Sequence, residues 1–281
     1  MRIYWGMGVV LVGVCGLAWA QVASLPFSED FEGGAVLDAH WTVTGTGNAR
    51  TVVLNDATAH GGLGHLGMDD AVQDLAYSRN ELTLTVDLAG YAGVVLGFWA
   101  REFGDEPHGP PTVPFTTSAD FDGVAISADG VTWYEVQGLR NLTGTYAEIV
   151  VDLDAAIAAH GLVYTDTFQI RFNQYDNHPI PGDGLTLDDI SLTGTEVFDP
   201  AHVWVDFAYA GTEVGTSSQP FNTVAEGVGA VGAGGVLSIK GDTGTNTSAE
   251  ILLVNTAMTL ESQGGVVRIG VSNKYRIGGG R

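Results

Sequence analysis

Cysteine is almost absent from this chain. The single one, Cys15, lies inside an apolar N-terminal run. If that run is removed, no disulfide can form, although exported proteins are free to make them. Stability then has to come from core burial or bound metal. Lysine is nearly missing too, with only Lys240 and Lys274. Lys and Arg total 11 against 33 Asp and Glu, for a net charge of -22. Such a surface repels phosphate backbones, which excludes nucleic acid as a partner. Sustained helical periodicity is scarce, and the long amphipathic helices of bundle folds are not expected. The motifs H-E-x-x-H, G-x-S-x-G and the E-x-D-x-x-E of jelly-roll glucanases do not occur. No catalytic residue is assigned, although glycosidases need only two carboxylates and many are present.

What is there begins with a targeting signal. Arg2, an apolar stretch from Ile3 to Leu17 and Ala18-Trp19-Ala20 before Gln21 read as a secretory signal peptide. The rival reading is a short membrane anchor. A lipoprotein reading is weaker, because Val14 precedes Cys15 where a small residue is expected. Cleavage after Ala20 leaves 281 − 20 = 261 residues, and loss of Arg2 brings the charge to -23. The expected product is secreted or held at the cell surface, with no stable membrane insertion after cleavage.

Glycine accounts for 40 of 281 residues, about twice the usual ~7%. Aspartate often stands beside it, as in Asp122-Gly123, Asp129-Gly130 and Asp183-Gly184. Three explanations stay open: tight turns, adaptation to salt, and cation binding through oxygen ligands. Short strands alternate between such turn signals, predicting an all-β sandwich or barrel. Glu81 to Leu88 alternates as a half-buried strand. Val94, Leu96, Phe98 and Ala100 share one face of the next, and Trp99 and Arg101 share the other. Val124–Ser127 and Thr132–Val136 flank a D-G hairpin turn, with Trp133 expected beneath it. Phe168, Ile170 and Phe172 alternate with Gln169, Arg171 and Asn173, and Leu185 to Leu192 forms a last strand. Helices are expected at Asp152–His160 and Thr223–Val231.

The segments Phe27-Ser28-Glu29-Asp30-Phe31-Glu32-Gly33-Gly34, His40-Trp41, Phe121 to Trp133 and Asp183 to Ile190 resemble concanavalin A-like jelly rolls. These include MAM-like domains and several carbohydrate-binding modules. The resemblance covers residues 25–195 and implies an antiparallel jelly-roll β-sandwich over 21–197. The disulfides of animal MAM domains are missing, so it implies architecture and not a subfamily. Trp204 to Glu213, Pro220 to Val224 and Gly234 to Gly241 resemble the entry of a pectate-lyase-like right-handed parallel β-helix. That resemblance covers about 203–275. It implies a cap and first coils over 198–281, with rungs at Glu250–Leu260 and Gly264–Gly270. A solenoid needs about three repeats, so the β-helix is read as incomplete. The lyase or hydrolase residues of such families lie on later coils and have no counterpart here.

Two candidate sites follow. Asp30 and Glu32 are expected on one face of the first strand, and Asp188 and Asp189 in the last. First and last strands of jelly rolls are commonly neighbours, so these carboxylates would converge on a structural calcium, a role the resemblance also implies. The bland alternative is that they are solvated or cap backbone groups. Trp99 and Arg101 with Gln169, Arg171 and Asn173, joined by Asp122, form the expected glycan face: a ring for sugar C–H faces, amides and guanidinium for hydroxyls. Here the alternative is ion pairing of both arginines and packing of Trp99 under a loop. His60 and His65 lack the spacing of a zinc site. His108 falls in a Pro-rich surface loop able to rim a ligand face. Asn141 and Asn246 head glycosylation acceptor triplets.

The reading is a secreted, non-catalytic module that recognises a polysaccharide or cell-surface glycan and is stabilised by calcium. Its alternatives are the N-terminal part of a β-helix polysaccharide lyase or hydrolase, and a structural or adhesive surface protein.

Overall fold

Alternation of apolar and polar residues builds most of the fold. The computed structural model describes residues 20–34, 37–104 and 108–270. The expected signal peptide lies outside the described residues except for Ala20, and Cys15 lies outside with it. The strands of the N-terminal part are β1 (Phe27–Glu29), β2 (Trp41–Gly45), β3 (Ala49–Asn55), β4 (Gly64–Asp70), β5 (Ser78–Val86), β6 (Tyr91–Glu102), β7 (Phe115–Thr116), β8 (Gly123–Ser127), β9 (Thr132–Gly138), β10 (Ala147–Asp152), β11 (Phe168–Asp176) and β12 (Leu185–Glu196). Helix α1 (Leu153–His160) follows β10 and is capped by the Asp152 carboxylate, which accepts from Ala155 N.

These strands form two antiparallel six-stranded sheets. Sheet I has the order β10-β6-β12-β4-β3, with β1 added against β12. Sheet II has the order β2-β5-β11-β8-β9-β7. Their inward residues meet in one core. Leu96, Phe98, Ala100, Leu187 and Leu192 come from sheet I, and Leu82, Leu84, Ile126, Ile170 and Phe172 from sheet II. This part of the chain is an antiparallel β-sandwich, and the Phe98 and Phe172 rings meet edge-on across it with centroids 5.1 Å apart. The first and last strands pair as expected, with Phe27 opposite Leu192 and Glu29 opposite Ile190.

The C-terminal part has a smaller, separate core of Val203, Val205, Val224, Val231, Leu237 and Ile239. Strands β13 (His202–Val205), β14 (Val236–Lys240) and β16 (Thr259–Gln263) stack in parallel register. The short β15 (Thr247–Ser248) and β17 (Arg268–Ile269) form a second parallel pair. Helix α2 (Val224–Ala230) is capped by Thr223. These parallel pairings fall where a β-helix was expected, but the described residues do not show one. The rung expected at Glu250–Leu260 is not a strand before Thr259. Ile251 and Leu253 there are more than four-fifths exposed. An apolar cavity of about 480 Å³, lined by Val228, Leu252, Met258, Leu260 and Ile269, opens beside them.

Candidate functional site

The sandwich divides the expected glycan face in two. Trp99 and Arg101 lie on β6 in sheet I, and Gln169, Arg171 and Asn173 lie on β11 in sheet II. In both strands the alternate residues fill the core between the sheets. The two groups therefore point away from each other on opposite outer faces. Matching alternation in two strands fixes which side chains leave the core; it does not fix which sheet each strand joins.

On sheet I the Trp99 ring is covered. The His60 imidazole stacks on it at 3.8 Å and 13°, and His60 Nδ1 meets Asp189 Oδ2 at 2.7 Å. Arg101 is sandwiched between the Phe103 and Tyr146 rings at 4.6 and 4.7 Å. Its nitrogens donate to the Thr186 and Thr58 hydroxyls. Tyr146 shares a 2.7 Å hydrogen bond with the buried His65. Burial pushes Tyr146 up to about 12 and draws His65 below its ordinary value. The two histidines thus pack around Trp99 and Tyr146.

Sheet II carries a longer polar face. Pairing of β5 with β11 sets Thr85 opposite Gln169, Thr83 opposite Arg171, Glu81 opposite Asn173 and Arg79 opposite Tyr175. From Thr85 to Arg79 this row is roughly 20 Å long at the usual strand rise. Thr42 and Thr44 of β2 continue it to the sheet edge. Arg171 is its centre. Its guanidinium lies over the Trp133 ring at 3.6 Å. Nε donates to the Thr83 hydroxyl at 3.0 Å, and Nη1 to the Thr117 carbonyl at 2.7 Å and Glu81 at 3.4 Å. Burial draws the Arg171 guanidinium down from its ordinary value, and Glu81 opposes this.

Trp133, in the strand that leaves the D-G turn, is buried as expected. It is fully buried on this outer face with Phe115, Phe121 and Ala125, because the segment after the Pro-rich loop folds back over β8 and β9. The turn itself is held by Asp129. Its carboxylate accepts from Thr132 N and Val131 N, which hold it well below the usual range.

Two residues of the expected glycan face are not available on it. Asn173 is buried, and its amide donates to the Ala119 carbonyl at 3.4 Å. Asp122 is also buried, with Oδ1 accepting from Tyr175 N at 2.9 Å and Oδ2 from His108 N at 3.1 Å. Asp122 pins the loop around His108 to β11. At that end Tyr77 stacks on Tyr175 at 5.1 Å and 22°, and His108 meets both rings edge-on. Tyr77 is 37% exposed. Arg79 reaches Asp120 at 2.8 Å beside them. Sequence reasoning missed Tyr77, Arg79 and Tyr175. The alternation that singled out Gln169 and Arg171 extends through Tyr175, so that residue was within reach.

The carboxylates expected to hold calcium are only partly where they were placed. β1 ends at Glu29, so Asp30 and Glu32 lie in the following turn and not on a strand face. Phe31 takes a left-handed φ of 56° there, which breaks the alternation. Glu32 Oε1 accepts from Leu63 N and Gly64 N at 2.7 and 2.6 Å. Asp188 Oδ2 accepts from His60 N and Gly61 N at 2.8 and 3.1 Å. Glu32, Asp188 and Asp189 thus gather round the 60–64 loop, whereas Asp30 accepts locally from Glu32 N. Gly62 has φ 55°, and a Cβ there would lie 2.2 Å from Glu32 Oε1, so this approach requires glycine. Among the described residues, no three His, Cys, Asp or Glu side chains form a ready metal cluster. No described helix is long and apolar enough to cross a membrane.

No protein-family model matches the chain, and no curated protein does. Solved structures do resemble it. The K2 cleaved adhesin domain of Lys-gingipain is 18% identical over 60% of this chain and 99% of that one, with a TM-score of 0.40. The xylan-binding domain of family CBM22 is 10% identical over 62% and 96%, at 0.35. The family 11 carbohydrate-binding module of the cellulosomal cellulase Lic26A-Cel5E of Clostridium thermocellum is 14% identical over 62% and 96%, at 0.33.

Proposed function

We propose that this chain is an exported, non-catalytic carbohydrate-recognition module whose glycan lies along the outer face of sheet II. One observation carries the proposal: the row of Thr85, Thr83 and Arg79 against Gln169, Arg171 and Tyr175, interrupted by the buried Glu81–Asn173 pair and ending in the Tyr77–Tyr175 stack. Hydroxyls, an amide and fixed guanidinium groups satisfy sugar hydroxyls in both donor and acceptor senses. An exposed ring covers the apolar C–H face of a pyranose. A polysaccharide strand is long and flat enough to follow such a row. Arg171 is already held by Trp133, Thr83 and Thr117, so little side-chain freedom is lost on binding.

The test is a polysaccharide and glycan-array screen of residues 21–281. Gln169→Ala and Tyr77→Ala are each expected to weaken binding about tenfold or more, near the ~1.4 kcal/mol per decade of affinity. Trp99→Ala is expected to leave it unchanged. Loss confined to Trp99→Ala would move the site to sheet I. A folded chain that binds no glycan would end the proposal and favour a structural or adhesive role.

Calcium at Glu32, Asp188 and Asp189 is a separate clause of the same proposal. It is supported by three hard oxygen-donor side chains drawn to one loop, where His60 is the partner of Asp189. Calcium is expected to raise the melting temperature by several degrees over chelator, and Glu32→Gln to remove most of that part of the rise. A melting curve indifferent to chelator would delete the clause.

A further inference from the structure

At the end of the sandwich where β4 and β11 finish, four aspartates are buried together. Asp69, Asp70, Asp176 and Asp183 are each at most 4% exposed. Topology brings them there. Leu185 pairs with Met68, so the residues before Leu185 run back alongside Asp69 and Asp70. Gly184, at φ 98°, lets this close approach happen, since a Cβ there would stand 2.8 Å from the Met68 carbonyl. Asp70 N donates to the His178 carbonyl at 3.3 Å, which ties β4 to the turn after β11. The Asp176 and Asp183 side chains lie side by side.

Asp69 is paired with a cation: it accepts from Arg50 Nε, and also from Ile180 N. Asp70 Oδ1 accepts from Val72 N, and Asp176 Oδ1 from Asn177 N and His178 N. The second oxygens, Asp70 Oδ2 and Asp176 Oδ2, are fully buried and accept nothing. An unpaired buried carboxylate oxygen is costly. Two of them at one end of the fold, in a chain this acidic, need a positive charge or a proton.

We propose that Asp70 and Asp176, with Asp183 beside them, hold a hard divalent cation of the calcium class, at a site separate from Glu32, Asp188 and Asp189. Because no three carboxylates here form a ready cluster, Asn177, backbone carbonyls and water complete the shell, a mixture calcium accepts. The ion ties the ends of the two sheets together beneath the Tyr77–Tyr175 end of the polar face. The competing occupant is a proton shared by Asp176 and Asp183. Burial, with Asp183 alongside, raises the Asp176 carboxyl, which favours that alternative.

Equilibrium dialysis of residues 21–281 with calcium chloride at pH 7.5, after chelator treatment, tests the site, with melting curves confirming that each chain is folded. Asp176→Asn and Asp70→Asn are expected each to lose one bound calcium per chain, or to weaken it at least tenfold. Glu32→Gln keeps that ion. If both Asn variants bind as the wild type does, the proposal is overturned. It is also overturned if the folded wild type binds no calcium; an Asp176→Asn chain that then melts higher in calcium and chelator alike identifies the shared proton. Should an Asn variant fail to fold, the count on Glu32→Gln decides: one calcium retained supports the site, and none refutes it.

Discussion

Trp133→Ala is expected to destabilise the protein by about 3–5 kcal/mol, the range for truncating a fully buried aromatic residue. Urea unfolding followed by circular dichroism measures it. The residue is 0% exposed and packed between Phe115, Phe121 and Ala125, with the Arg171 guanidinium over its ring. Truncation opens a cavity and also removes the support of a partly buried cation. Arg171 would keep Glu81 and Thr83 as partners but lose the surface that holds its plane. Glycan affinity is therefore expected to fall with stability, even where the chain remains folded. Trp99→Ala provides the contrast, since Trp99 lies partly exposed under one imidazole on the other sheet. A Trp133→Ala chain within about 1 kcal/mol of wild type would mean that the segment over β8 and β9 is not packed as described.

Asp122→Ala is expected to cost about 2–4 kcal/mol, because two backbone N–H groups lose their acceptor at once and each orphaned donor costs about 1–3 kcal/mol. Tyr175 N and His108 N are those donors. The loop around His108 would come away from β11 and take the edge-on contacts to Tyr77 and Tyr175 with it. The effect depends on pH with a definite sign. Burial raises the Asp122 carboxyl above the ordinary aspartate range. In the window between the unfolded and folded values, the folded chain holds the proton more tightly than the unfolded one. The stability that Asp122 contributes is thus fully present below the ordinary aspartate range and declines as pH rises through the folded value. The gap between wild type and Asp122→Ala should narrow in that direction, and denaturant midpoints at several pH values would show it. A widening gap would contradict the burial argument.

The sequence by itself determined the strands and their inward faces. Val94, Leu96, Phe98 and Ala100, and Phe168, Ile170 and Phe172, are all buried as their alternation requires, because a strand against a core has a period of two. The β8–β9 hairpin, the pairing of first and last strands and the positions of both helices were likewise legible, since each depends on neighbouring residues or on the resemblance. Only the tertiary structure decided which sheet each strand joins, and so sent Trp99 and Arg101 one way and Gln169 and Arg171 the other. Strand order is set by pairings far apart in sequence, which alternation within one strand does not encode. The same holds for Asp122 and Asn173, polar residues that read as surface and are buried because a distant loop closes over them. Asp70, Asp176 and Asp183 are separated by up to 113 positions in the chain. They become neighbours only where two sheets end together, and burial turns them from ordinary turn aspartates into carboxylates that need a partner.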